Sequence, residues 1–257
     1  MDRDRFLRMI GRTEISVDLE EVFNAPIQSL FGTSQKVEKG EKQGWLTAIL
    51  YLAPAKASGF QMCANATAGC EAACLSTAGR GGIFPKGKSD NDIQRARRRK
   101  THWYMARRNE FLHQLDKEIG SHVRRAARKG FQPSVRLNGT SDIRWETVKL
   151  DGETLFERWP GVTFYDYTKH PDRDVSGIPN YSLTFSLAED NDEDAELALQ
   201  NGINVAAVFH TLPETFMGRP VFDGDESDLR FLDPEGVIVG LKAKGKARQD
   251  TTSGFVR

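Results

Sequence analysis

Cysteine is scarce in this chain: three among 257 residues, all between positions 63 and 74. An odd number packed into a dozen residues is a poor disulfide framework, which argues against a stapled secreted scaffold and for a reducing compartment. Long apolar runs are missing as well. No stretch approaches the roughly 20 residues that a membrane-spanning helix needs. The opening MDRDRFLRMIGRTE lacks the apolar core of a secretory leader. The expected setting is cytoplasmic, with no membrane partner. Net charge is also lacking, since 36 Lys plus Arg balance 36 Asp plus Glu. That balance argues against a protein that coats nucleic acid with its whole surface, and leaves room for a local basic patch. Internal repeats and linkers rich in Ser or Pro are absent too, so one domain is the simplest organisation. What is present, 39 % apolar and 28 % charged residues, is the composition of a chain that buries a core.

Residues 1–44 read as an N-terminal capping segment, in which Ile15, Val17, Leu19, Val22 and Phe23 fit neither helical nor strand spacing. Residues 45–257 read as one β/α domain. WLTAILYL from Trp45 is its first strong strand, ended by Pro54. One long helix is predicted from about Ser89 to Lys129, with Ser89-Asp90 as N-cap and Gly130 at the C-cap. After it, strands are expected at SVRLN, Val162–Tyr167, Tyr181–Ser186, INVAAVF, PVFD, DLRFLD and GVIVGLKA. Helical pieces are expected at 152–158, NDEDAELALQNG and LPETFMG. This alternation with short connections predicts a compact β/α (TIM-like) barrel with several helices reduced to turns. An open doubly wound parallel sheet is the alternative.

The polar residues that follow each strand carry the functional argument. Asn138, Thr140, Ser141 and Asp142 follow SVRL. Asp166, Tyr167, Thr168 and Lys169 end the next strand, and Ser186, Glu189, Asp190 and Asn191 the one after. His210 follows INVAAVF, and Lys242 and Lys244 follow GVIVGL. In a β/α barrel all of these lie on the C-terminal rim, where sites are built, although any loop is polar and a lone strand-end His is more often structural. Ser186 with His210 and an Asp could imitate a hydrolase triad, but LTFSLAE lacks the G-x-S-x-G elbow.

The cysteines read Cys63-x6-Cys70-x3-Cys74 in a stretch of small residues. On a helical turn Cys70 and Cys74 would share a face, and Gly69 would permit a tight bend before Cys70. Three thiolates on one loop can hold a [4Fe–4S] cluster and leave one iron open. Zinc would need a fourth ligand, such as His210 or His102, and this is not a usual finger spacing. Plain buried thiols and a catalytic thiol are the remaining readings. The spacing departs from the C-x3-C-x2-C of radical enzymes that use S-adenosylmethionine. An open iron can instead act as a Lewis acid that activates water, which needs no second cofactor.

CANATAGCEAACLSTAGRGG, QRARRRKT, RLNGTSDIRWE, FYDYTK, NYSLTFSLAEDN, GDESDLRFLD and GLKAKGKAR, taken in order over about residues 45–257, resemble a family of phage-encoded proteins described as gene product 88. The resemblance implies a phage or prophage origin, a host-cell cytoplasmic setting and an iron–sulfur barrel. It makes Cys63, Cys70 and Cys74 the expected cluster ligands, and it carries no catalytic role.

From their positions in this sequence, Asp142, Asp166, Lys169, Ser186 and His210 are the expected catalytic residues around the open iron. They would move protons and hold charge while a small oxygen-containing substrate is hydrolysed, as an ester would be, or hydrated. One rival is an enzyme that uses the cluster for radical or redox chemistry, and the other is a non-enzymatic binder in which the cysteine site, iron–sulfur or zinc, is a staple. There the segment 95–129, with twelve Lys or Arg against three acids and with Trp103 and Tyr104 nearby, meets nucleic acid or a host protein.

Overall fold

The computed structural model describes residues 3–10, 22, 27, 29–32, 39–88 and 90–257. Of the N-terminal segment it shows α1 (Arg3–Ile10), whose Phe6 packs on Phe60 and His102, and the edge strand β1 (Phe31–Gly32). The backbone N–H groups of Leu30 and Phe31 donate to the Glu118 carboxylate. Ile15, Val17, Leu19, Phe23 and Ser89 lie outside the described residues.

The rest is mixed α/β. After β2 (Trp45–Leu50) come the short helix α2 (Ala68–Ala72) and the long helices α3 (Asp92–Ala106) and α4 (Arg108–Lys129). Strand β3 (Gln132–Arg136) follows, then a small hairpin, β4 (Lys149–Leu150) and β5 (Glu153–Thr154), and α5 (Leu155–Arg158). Strands β6 (Thr163–Thr168) and β7 (Tyr181–Ser186), helix α6 (Asp192–Gln200), and strands β8 (Val205–Phe209), β9 (Thr215–Phe216), β10 (Arg219–Asp223) and β11 (Ile238–Lys242) complete it. Nine strands form one sheet in the order β1-β2-β3-β6-β7-β8-β11-β10-β9. The edge strands β1 and β9 are antiparallel to their neighbours, and every other pairing is parallel. Seven parallel strands therefore end on one edge. Among the described residues no strand pairing closes the sheet on itself.

One face of the sheet is apolar. Val135 and Phe164 pack with Phe111, Leu112, Leu115 and Ile119 of α4, and Phe185 and Val205 pack with Ala195 and Leu199 of α6. The opposite face is polar and buried. It carries Thr47, bonded to Ser134 at 2.8 Å, and Arg136, whose guanidinium lies 4.6 Å from the Tyr167 ring centre. The connection from β10 to β11 runs against this face beside β6 and β7. It sets Asp228 on Arg136 at 3.4 Å and wedges Phe231 between Trp45 and Tyr165, with ring centres 4.7 and 5.3 Å apart. Ser227 on the same connection donates to Gln43, just ahead of β2.

Four local expectations are corrected. The long helix is two helices, because Arg107 (φ −130°, ψ 56°) breaks it. The break sets Phe111 edge-on to both Trp103 and Tyr104. The N-cap is Asn91, whose Oδ1 accepts from Gln94 N at 2.9 Å, whereas Gly130 does sit at the left-handed C-cap, at φ 73°. LPETFMG is no helical turn. Met217 and Gly218 take φ of 48° and 67°, the left-handed pair of a two-residue hairpin turn joining β9 to β10. DLRFLD is no strand either. Arg230–Leu232 form a 3-10 turn, with Arg230 buried in an ion pair with Asp233 at 3.2 Å.

Candidate functional site

The three cysteines leave the sheet at the C-terminal edge and are held there by loops that follow four other strands. Cys63 makes a parallel bridge with Asp142, after β3, and Asp142 N donates to Met62 O at 2.8 Å. Its sulfur accepts from Ala55 N at 3.3 Å and faces Thr140 O at 3.7 Å. Asn65 Nδ2 donates to Lys169 O at 2.9 Å, after β6, and meets His170 Nδ1 at 3.2 Å. Thr67 caps α2 by accepting from Cys70 N at 3.1 Å. Glu189, after β7, accepts from both Thr67 Oγ1 and Gly69 N at 2.6 Å. Cys74 lies beyond the end of α2 and opens the next 3-10 turn, so Cys70 and Cys74 do not share one continuous helix. Ala73 packs with Ala243, Ala247 and Val256, which bring the segment after β11 over the same region.

Gly69 is needed for close approach and sits inside α2, where no bend occurs. A Cβ there would stand 2.8 Å from both Glu189 carboxylate oxygens and from Ser253 Oγ. Gly69→Ala must displace a carboxylate held by two hydrogen bonds. We expect it to destabilise the protein by about 1–3 kcal/mol in urea unfolding, the usual cost of overpacking. An unchanged midpoint would show that the Glu189 clamp gives way freely.

Burial pushes the Cys63 thiol up to about 12 despite the Ala55 N–H, and Cys74, Asp142 and Cys70 push it the same way. Burial also raises Cys70, opposed by the charge of the nearby Lys169 ammonium. A second cation stands beside Cys74. Arg97 donates to Ser76 O at 2.9 Å, and its guanidinium lies over the Tyr51 ring at 5.2 Å. Thiols held neutral by burial must lose protons before they ligate a metal. Among the described residues, no group of three His, Cys, Asp or Glu side chains is arranged to close on one metal ion.

The other expected residues are distributed unevenly. Asp142 and Lys169 are at the cysteines. Asp142 Oδ2 accepts from Lys169 N at 2.7 Å, and its Oδ1 pairs with Arg173 at 3.3 Å. Asp166 lies in the layer beneath. It is buried and accepts from Asn138 N at 2.7 Å and from Tyr181 OH at 3.0 Å. Ser186 gives its carbonyl to Asn191, and no hydrogen bond joins it to His210 among the described residues. His210 is exposed, with Nε2 2.7 Å from Asp250 O and its backbone N donating to Arg257 O. His102 is buried, with Nε2 on Ser58 O at 2.8 Å. Trp103 and Tyr104 are buried in the core, so neither offers a face for stacking on a base, while Arg124, Arg125, Arg128 and Lys129 remain exposed at the end of α4.

Sequence reasoning missed His170, Arg173, Glu146 and Arg97. Arg173 is fully buried and joins the layers. It bonds Glu146 at 2.8 and 2.9 Å and Tyr181 OH at 2.5 Å, besides pairing with Asp142. A lone Arg in a loop gives no sign of such burial. The only available signal was the density of charge in KHPDRD.

Burial pushes the Asp166 carboxyl from 3.8 up to about 7, against the pull of Arg136 and Arg173. Between about pH 4 and 7 the folded protein thus holds a proton that the unfolded chain releases. The contribution of this group is full below pH 4 and is lost as pH rises through 7. Asp166→Asn keeps an acceptor for Asn138 N and removes the titration. We expect it to flatten the stability profile over this window and to gain about 2–4 kcal/mol at pH 8. Urea unfolding from pH 4 to 8 reads this directly, and a variant less stable at pH 8 would refute it.

No helix among the described residues is long and apolar enough to cross a membrane. No curated protein and no solved structure was found to match the chain. The model of the family described as gene product 88 matches residues 29–257, which take in the whole sheet, the cysteine segment and every loop that holds it, and the chain belongs to that family.

Proposed function

We propose that Cys63, Cys70 and Cys74 hold a [4Fe–4S] cluster with one iron open to substrate, and that the protein hydrolyses an ester-like substrate or hydrates a small oxygen-containing one. The parallel sheet is read as curling toward a β/α barrel, with the β10–β11 connection filling its polar inner face. Ser227 and Phe231, which reach from the β10 side of the sheet to Gln43 and Trp45, support that curvature.

The observation that carries the reading is the surrounding of the thiols. Three cysteines from one segment stand at the C-terminal edge of seven parallel strands, near enough to feel one another's charge, with Lys169 at Cys70 and Arg97 at Cys74. A cubane takes each thiolate on a different iron, so it asks for thiols spread around a space rather than gathered at one point. When bound, the cluster would supply a Lewis acid. The chain's own residues do the rest. Lys169 and Arg97 balance negative charge. Asn65 and the Asp142 carbonyl hold the His170 imidazole, whose Nε2 lies 3.3 Å from that carbonyl, where it can move a proton. Glu189 fixes the cysteine segment through its carboxylate, and Asp142 fixes it through its backbone while its carboxylate is held by Lys169 N and Arg173.

The test is the visible spectrum of protein purified without oxygen, with iron, sulfide and zinc content measured on the same sample. A brown protein with about four irons and four sulfides per chain is the expected result. A colourless protein carrying zinc or no metal would overturn the proposal.

A further inference from the structure

Exposed apolar side chains are concentrated in one stretch of the chain. Of the eight large apolar residues left exposed among the described residues, four fall between positions 75 and 93: Leu75, Ile83, Phe84 and Ile93, with Ile83 the most exposed of all at 68 %. Hydrogen bonds gather this stretch against the start of α3. Asn91 Nδ2 donates to Gly81 O and to Ile83 O, both at 3.0 Å, and Gln94 Nε2 donates to Ser76 O at 2.7 Å and to Gly81 O at 3.0 Å. From that base a tip projects. Residues 83–88, Ile-Phe-Pro-Lys-Gly-Lys, are all exposed. The tip folds back where Lys88 N donates to Pro85 O at 3.0 Å and Gly87 takes φ 73°, a turn that glycine makes without strain.

The surroundings are cationic. Residues 72–89 carry Arg80, Lys86 and Lys88 and no acid. Over residues 70–99 there are seven Lys or Arg against Glu71, Asp90 and Asp92, and those two aspartates pair with Arg98 and Arg95. The C-terminal segment lies alongside, since a Cβ on Gly245 would stand 3.3 Å from Ala78, and Ala73 packs on Ala243 and Ala247. Residues 242–257 add five Lys or Arg against Asp250 alone. Four acids from elsewhere reach in: Glu189 onto Gly69 and Thr67, and Asp192, Asp223 and Asp225 onto Arg257, Lys242 and Lys244. With all of them counted, twelve cations meet eight acids.

We propose that the Ile83–Lys88 tip docks the protein on an anionic lipid bilayer, with Ile83 and Phe84 entering below the headgroups and Arg80, Lys86 and Lys88 meeting the lipid phosphates. Apolar side chains rimmed by cations suit that interface, and a chain with no spanning helix can still lie on it. The tip is convex, which suits a bilayer better than a partner helix that needs a groove. Leu75, Ile83 and Ile93 are aliphatic and give a nucleic-acid base no ring to stack on. The inference goes beyond the proposed reaction and does not depend on what the cysteines hold.

The purified full chain is sedimented at low salt with vesicles of phosphatidylcholine containing about 30 % phosphatidylglycerol, and with vesicles of phosphatidylcholine alone. We expect binding to the anionic vesicles, about tenfold or more weaker on the neutral ones and in each of two double variants, Ile83→Gln with Phe84→Gln and Lys86→Gln with Lys88→Gln. Raising the salt to about 0.5 M should weaken it as well. Wild type that stays in the supernatant, or double variants that sediment as wild type does, overturn the inference. So does a thymidine oligonucleotide that binds this tip where the vesicles do not, which would make the partner a nucleic acid. All four substituted side chains are exposed, and an unchanged urea midpoint shows that a loss of binding is not a loss of fold.

Discussion

Arg173→Met is expected to cost the protein about 3–5 kcal/mol, the usual penalty for stranding a buried charge by removing its partner. The side chain is fully buried and holds two carboxylates, Asp142 and Glu146, and the hydroxyl of Tyr181. Methionine fills part of the volume and offers no donor, so Asp142 and Glu146, themselves only 10 % and 12 % exposed, lose their cation. For a chain of this size the loss corresponds to a fall in Tm of roughly 10 °C or more. Adding Glu146→Gln should recover part of it, because one of the stranded charges is then gone. Calorimetry of the single and double variants reads both effects. A single variant within 1 kcal/mol of wild type would mean that water reaches these carboxylates and that the layer is not closed, an estimate set against the usual scatter of surface substitutions.

Cys70→Ala is expected to abolish the cluster. The thiol feels the charges of Lys169 and Cys74, and a cubane held by two thiolates has lost a corner ligand. Purified without oxygen, the variant should lack the broad visible absorption and nearly all acid-labile sulfide. The urea midpoint of its metal-free form should change by only about 1 kcal/mol, since a half-buried thiol contributes little packing. That combination separates loss of a ligand from loss of fold. A variant that kept wild-type iron and sulfide would remove Cys70 from the ligand set and with it the proposed site.

The fold was legible where one residue pattern had one physical meaning. The alternation of apolar strands with helices after Gly130 places β6, β7, β8 and β11 within a residue or two, because buried parallel strands read as short apolar runs. It failed at Thr215–Phe216, where a left-handed pair at Met217 and Gly218 decides the outcome, and at Arg107, where packing of Phe111 overrides a continuous helical period. The edge on which the site stands was legible for the same reason: polar residues after parallel strands gather on one side. Its inner support was not. Asp166 and Lys169 are three positions apart, yet one is buried under Asn138 and Tyr181 while the other reaches Cys70, because their side chains leave the strand end toward different layers. Arg173, Glu146 and Arg97 owe their roles to burial, and burial of a charged residue is set by tertiary packing that local sequence does not record.

The cysteine segment is fastened by bonds that are distant along the chain: 77 positions from Cys63 to Thr140, 104 from Asn65 to Lys169 and 122 from Thr67 to Glu189. Contacts this distant along the chain are slow to form, because each closes a long loop before it is rewarded. Until they form, the three thiols have neither their burial nor their neighbouring ammonium, and they behave as ordinary thiols on a solvated loop. Oxidative damage to these cysteines is therefore governed by the time the chain spends folding, and a variant that slows assembly of the sheet would lose its thiols to sulfenic acid and mixed disulfides even if its native state were as stable as wild type.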